Sequence, residues 1–237
     1  MIGTHAVVAG VDGIRTGWIV VLWCGPGTTP AVHRLASLND AAAVLPQATA
    51  VVAVDIPIGL PVVARRGGRD CDRAARSYVG PRKASVFSPP ALAALAARTH
   101  TEACALNRAS GPDAPGLSIQ AFAILPKIAE AKVALAQCDW LRRRVIEVHP
   151  EVCFRTLAKQ ALAHGKLCRA GRDERCTLLV PAALAPDAAL FAAARQLGAK
   201  PDDLIDACVA AWTAWRCLTA QALVLPEGAV SGPRIWH

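Results

Sequence analysis

Five acidic residues stand where metal or acid–base chemistry would use them: Asp12, Asp55, Glu147, Asp203 and Asp206. Asp12 lies in VVAGVDGIRTGWIV, between two apolar, β-branched runs. That pattern predicts strand, tight turn and strand, with the carboxylate ending the first strand. A carboxylate taken out of water without a partner is costly, and Gly13 directly after it lets a backbone, phosphate or metal come close. Asp55 ends a second apolar run, ATAVVAVDIPI, in the same way. Glu147 lies on RVIEVH, and Asp203 and Asp206 are three apart on one face of a late helix. Such carboxylates, if they converge, repel one another unless a cation stands among them. Their hard oxygens suit Mg²⁺ or Mn²⁺. Two such ions about 3.5–4 Å apart activate water and stabilise the leaving oxygen of a phosphodiester.

Some of these acids also have a plainer role open to them. Asp12 can cap a turn. Asp202 and Asp203 can cap a helix and favour its dipole. Asp206 fits that explanation less well, because it lies inside an otherwise apolar helix.

The formal net charge is +8, and the positive residues cluster. They fall in 65–83 (Arg65, Arg66, Arg69, Arg73, Arg76, Arg82 and Lys83), in Arg142 to Arg144, and in Lys166 to Arg175. Acids with bases around them suit a metal centre acting on a phosphate substrate, and nucleic acid is the expected polyanion. Arg73, Arg76, Arg82, Lys83 and Ser85 are the candidates for phosphate contact. Gln120, Lys127 and His149 complete the substrate-binding set. A solvated basic loop is the alternative for 80–85, and a hydrogen-bonded structural role is the alternative for His149.

The elements that must position these residues follow from the pattern. Strands are expected over 6–12, 18–24, 31–35, 48–56 and 144–149. The run before Asp55 does not alternate, so that strand is covered on both faces. Pro57 ends it, which puts Asp55 at a carboxyl end, where sites gather in open α/β sheets. Helices are expected over 37–45, 70–78, 91–106, 118–133, 150–163, 173–180, 188–197 and 201–218. Pro126 kinks or splits the fourth of these. The region 60–140 reads as a helical insertion forming a wall over the carboxyl end of the sheet, within one domain spanning 1–237. The tail offers a short edge strand.

Apolar residues make up 54% of the chain and aromatics only 5%, which implies a full core of small and branched side chains. Nine cysteines contain no CxxC pair, as expected for reduced thiols in cytosol. The first residues run straight into a strand without a basic leader, and the most apolar late stretch is shorter than the roughly 20 residues of a membrane span. A cytoplasmic protein with no membrane partner is the expectation. Oligomeric state is not legible.

The stretches GVDGIRTGW, VDIPIGLP, CDRAARSYVGPRKASVF, LSIQAFAILPKI, EVHPEVCF and DDLIDACVAAWTA run in order along nearly the whole chain. Together they resemble domain of unknown function family 429, predicted RNase H-like nucleases. The resemblance implies an RNase H-like α/β fold, a mixed sheet flanked by helices whose first three strands are antiparallel. It also implies metal-dependent phosphodiester hydrolysis of DNA or RNA. In that superfamily an Asp on the first strand, an acid on the fourth and an Asp near the last helix bind the metals. Those roles fall on Asp12, Asp55, and Asp203 or Asp206. Two rival readings stand beside it. One is a nucleotide-dependent phosphotransferase or ATPase of the actin-like class, which shares the fold and a similar first hairpin. The other is a catalytically silent nucleic-acid-binding module.

Overall fold

The structure is a computed structural model, and it describes residues 6–237. Strands β1 (Val7–Ile14), β2 (Gly17–Trp23) and β3 (Ala31–Leu35) form an antiparallel meander. After the short helix α1 (Ala41–Val44), β4 (Thr49–Val54) returns parallel to β1. Helices α2 (Asp70–Val79), α3 (His100–Ala109), α4 (Ile119–Ala123), α5 (Leu125–Gln137) and α6 (Asp139–Arg142) lie between β4 and β5 (Val145–Glu147). β5 is again parallel to β4, so the sheet order is β3-β2-β1-β4-β5. Helices α7 (Pro150–Ala158), α8 (Arg169–Leu179), α9 (Ala188–Gln196) and α10 (Pro201–Leu218) follow. The tail adds β6 (Val224–Leu225) and β7 (Ile235–Trp236), and Trp236 bridges to Val148 just past β5. This is an α/β fold of the RNase H-like type.

Helices cover both faces, which explains why β1 and β4 read as unbroken apolar runs. On one face Val8, Ile19, Val21 and Ala53 pack with Leu204, Ala207, Cys208 and Ala211 of α10. On the other, Val11, Trp18, Val52 and Val54 pack with Ile128, Ala131 and Ala134 of α5. Glu130 fastens α5 to the hairpin, accepting from Trp18 Nε1 at 2.8 Å, Ser37 Oγ at 2.9 Å and Leu38 N at 2.6 Å.

Two local expectations shift. The first strand does not end at Asp12. It continues through Gly13, which pairs with Trp18, and the turn falls at Arg15 and Thr16. The helix expected over 91–106 is a 3₁₀ turn followed by α3, because Thr99 caps a fresh start by accepting from Glu102 N. The helix expected over 118–133 is split, as Pro126 implied, into α4 and α5 at Ile124, with Pro126 in the first turn of α5. All nine cysteines are free. Among the described residues no helix is long and apolar enough to cross a membrane.

Candidate functional site

Asp12 and Asp55 are brought side by side by parallel pairing. Val11 of β1 faces Val54 of β4, and Asp55 N donates to Val11 O at 3.0 Å. Val11 and Val54 pack toward α5, so alternation sends the next residues, Asp12 and Asp55, toward α10. α10 comes unusually close there. A Cβ at Gly10 would stand 2.1 Å from Ala207 O and 2.2 Å from Ala211 N, so only glycine permits this contact. The close approach carries Asp206, one residue before Ala207, to the two strand acids. Asp206 is 2% exposed, and its Oδ2 accepts from Lys166 Nζ at 2.7 Å. Lys166 belongs to the loop between α7 and α8.

The electrostatics mark these groups as one cluster. Burial, then Asp55 and Asp206, hold the Asp12 carboxyl well above the usual range. Burial pushes Asp55 up to about 6, with Lys166 opposing. Burial pushes Asp206 to about 6 as well; Lys166 opposes that, while Asp55 and Glu151 add to it. The Lys166 ammonium is disfavoured by burial, yet Asp206, Asp55 and Asp12 outweigh that and raise its proton affinity. Asp203 is the capping acid of the pair on α10, accepting from Lys200 N at 2.7 Å. Burial raises its carboxyl too.

Among the described residues no three Asp, Glu, His or Cys side chains converge closely enough, as placed, to hold a metal ion. The cation among the acids is the Lys166 ammonium. The donor set is nevertheless all carboxylate oxygen with negative charge in excess, which suits a hard divalent ion once the ammonium gives way.

Asp55 also joins two cavities over the carboxyl ends of the strands. One, of about 880 Å³, is lined by Asp55, Arg65, Arg66, Gln120, His149 and Lys166 among others. The second, of about 670 Å³, runs past Asp12, Arg15, Lys127 and Glu130. Part of the 60–140 region thus walls the first cavity, while α5 from the same region covers a sheet face.

The basic candidates separate. Arg73 is occupied by Gly68 O at 2.5 Å and by Asp70. Arg76 lines the larger cavity but ties loops together, donating to Val86 O at 2.8 Å, Ser88 Oγ at 2.9 Å and Gly67 O. Arg82 reaches Leu162 O at 3.5 Å, and Lys83 is exposed. Ser85 donates to Arg82 O at 2.8 Å, and its own carbonyl faces His149 Nε2 at 3.3 Å. Lys127 lies over the Trp18 ring, donates to Gly17 O at 2.6 Å, and is lowered in proton affinity by burial.

Glu147 stands apart from the three aspartates. Val145 packs on the α5 side and Ile146 on the α10 side, so alternation turns Glu147 toward the α5 side. Its oxygens accept from Arg69 Nη2 at 2.5 Å, Arg69 Nη1 at 2.9 Å and Ile58 N at 2.6 Å. Asp72 holds the far side of the Arg69 guanidinium at 2.8 Å. This buried network pins the segment after β4 to β5.

Sequence reasoning passed over Glu151, and left Lys166, Arg65 and Arg66 as parts of general basic patches. Glu151 pairs with the fully buried Arg175 beneath the same cavity. The one available signal was EVHPE, which places Glu151 a single turn beyond a strand end.

A family model described as protein of unknown function, DUF429, matches residues 10–230. No curated protein and no solved structure matches the chain.

Proposed function

The chain belongs to the DUF429 family, and from that premise and the acidic cluster we propose that it is a metal-dependent phosphodiesterase acting on nucleic acid. The observation that carries this reading is that Asp12, Asp55 and Asp206 lie on one face near enough to raise one another's proton affinity, beside a cavity lined by Arg65 and Arg66. Asp12, Asp55 and Asp206 would hold Mg²⁺ or Mn²⁺, with Asp203 at the edge. When bound, the ion would supply an activated water and a Lewis acid for the leaving oxygen.

The chain's own residues provide the rest. Arg65 and Arg66 attract the phosphates and hold them near Asp55. Parallel pairing of β1 with β4 fixes the spacing of Asp12 and Asp55, and the Gly10 contact fixes Asp206 against them. The charge excess of the cluster favours a divalent ion over the single ammonium now there.

Melting curves with and without MnCl₂, beside a cleavage assay on mixed DNA and RNA substrates, test this. Saturation at about 100 times Kd stabilises a folded-state binder by about 2.7 kcal/mol, which is roughly 5–10 °C for a chain of this size. Asp12→Asn should lose that shift and the cleavage together. It should also melt higher than wild type without metal, because one of several crowded like charges is gone. Wild type without an ion-dependent shift sinks the metal reading. A shift without cleavage favours the silent binding module.

A further inference from the structure

Asp55 and Phe87 are the two residues that line both cavities over the carboxyl ends of the strands. Phe87 is half-buried. It packs against the core between the sheet and α5, and the rest of its surface borders the two cavities beside Asp55. An aromatic ring open to a cleft offers a face on which a planar group can stack. The ring is also held in place. Arg76 Nε donates to Val86 O at 2.8 Å and Arg76 Nη2 donates to Ser88 Oγ at 2.9 Å, so one guanidinium pins the residues on either side of Phe87. The same guanidinium donates to Gly67 O, which ties this segment to the loop carrying Arg65 and Arg66. His149 Nε2 faces Ser85 O at 3.3 Å, and Asn107 Oδ1 accepts from Ala91 N at 2.7 Å. Residues 86–91 form no helix or strand, yet they are fastened at both ends. A ring fixed before binding loses little freedom when a ligand arrives.

The charges around the ring suit a strand of phosphates. Arg65, Arg66, Arg76 and Lys166 line the larger cavity against two carboxylates, Asp55 and Glu151, and Glu151 is already paired with Arg175. Past Phe87, the second cavity offers Arg15, exposed at the turn of the first hairpin. Cations thus stand on both sides of an aromatic ring and a carboxylate. Sites for single-stranded nucleic acid are built this way, with positive groups along the backbone and an aromatic face for a base. A duplex keeps its base faces stacked inside and must unstack to use such a ring. The two cavities, about 880 and 670 Å³, fall in the small-ligand range of about 300–1,000 Å³. Spaces of that size take nucleotides threaded one after another, whereas a duplex would lie across their mouths.

We propose that this cleft selects single-stranded nucleic acid, with one base stacked on Phe87 and the flanking phosphates held by Arg65 or Arg66 on one side and Arg15 on the other. Arg76 is the positioning residue of the ring. The proposal rests on the nucleic-acid reading above and names the form of its substrate. It makes no use of the metal, so binding without divalent ions tests it separately from cleavage.

The test is fluorescence anisotropy of the full chain in EDTA, with a labelled dodecamer of single-stranded DNA, its RNA counterpart and the same DNA as a blunt duplex. Wild type should bind the single strands at least tenfold more tightly than the duplex. Phe87→Leu keeps an apolar side chain and removes the aromatic face. It should lose roughly 5- to 150-fold of the single-strand affinity, the equivalent of one stacked base, and leave duplex binding unchanged. Phe87→Trp should restore the loss. A 2-aminopurine moved through the strand should be quenched at one position by wild type and Phe87→Trp, and at none by Phe87→Leu. Arg76→Lys keeps the charge but cannot bridge Val86 O and Ser88 Oγ, so it should weaken the quench and leave the salt slope of binding unchanged. Wild type that binds no oligonucleotide overturns the nucleic-acid reading and this proposal with it. Duplex bound as tightly as single strand overturns this proposal alone, and so does wild-type affinity in Phe87→Leu. If Phe87→Leu fails to fold, the wild type decides, and a 2-aminopurine unquenched at every position overturns the proposal.

Discussion

Gly10 and Ala207 meet backbone to backbone, with room for a Cβ only 2.1 Å from the Ala207 carbonyl oxygen. This contact sets the height of α10 above the sheet, and with it the position of Asp206 relative to Asp12. Gly10→Ala must push α10 outward. Overpacking a tight core contact costs about 1–3 kcal/mol, and here the obstacle is backbone, which cannot rotate away. Denaturant unfolding should show a loss at or above the top of that range. Any folded fraction should also give a smaller Mn²⁺-dependent melting shift than wild type. A variant as stable as wild type would show that the helix does not depend on this contact.

Glu147 and Arg69 give a different outcome from the aspartates. Removing one partner of a buried pair leaves the other charge uncompensated, at a cost of about 3–5 kcal/mol. Glu147→Gln should therefore lower stability by that order. It should leave the Mn²⁺-dependent shift in melting temperature intact, because Glu147 serves the segment after β4. Loss of the ion shift without loss of stability would place Glu147 in the metal centre instead.

The sheet was legible in the sequence because β-branched runs broken by glycine and proline leave few alternatives. Asp12 and Asp55 were legible for the same reason, each closing an apolar run. What sequence could not reach was contact between distant segments. Glu147 sits on a strand like the others, yet a single step in alternation turns it to the other face and toward Arg69. Lys166 lies 40 residues before Asp206 in a loop with no periodicity, so nothing local marks it as the cation among the acids. The split between Asp203 and Asp206 was visible in outline. A first-turn acid caps the helix, and an acid one turn deeper needs another reason.

The raised carboxyls fix the sign of a pH effect. Asp206 titrates near 6 in the folded chain, against an ordinary value of 3.8. A group that holds its proton more tightly when folded destabilises the fold as pH rises between those values. Without divalent ions, the stability of Asp206→Asn relative to wild type should therefore grow from pH 4 to pH 6.5 and then level off. Urea midpoints across that range measure it. With saturating Mn²⁺ the wild type should recover at the upper end, because the ion replaces the proton. A difference that does not change with pH would mean that Asp206 ionises as it does in water.

The last prediction concerns which basic residues meet the polyanion. Counting charges in 65–83 gives no ranking, but the structure does. Arg73 and Arg76 spend their donors on backbone carbonyls and Ser88. Lys83 is exposed and lies outside the lining of the larger cavity, whereas Arg65 and Arg66 are exposed and line it together with Asp55. Each phosphate neutralised releases counterions and contributes about −0.7 to the salt slope on a single strand. Arg65→Ala with Arg66→Ala should therefore weaken oligonucleotide binding and flatten the plot of log affinity against log salt by about 1.4. Lys83→Ala should change neither by a comparable amount. Fluorescence anisotropy at several salt concentrations separates the two. If Lys83→Ala flattens the slope and the arginine pair does not, the polyanion tracks the 80–85 loop and passes by the acidic cleft, and the phosphodiesterase reading loses its route for substrate to Asp55.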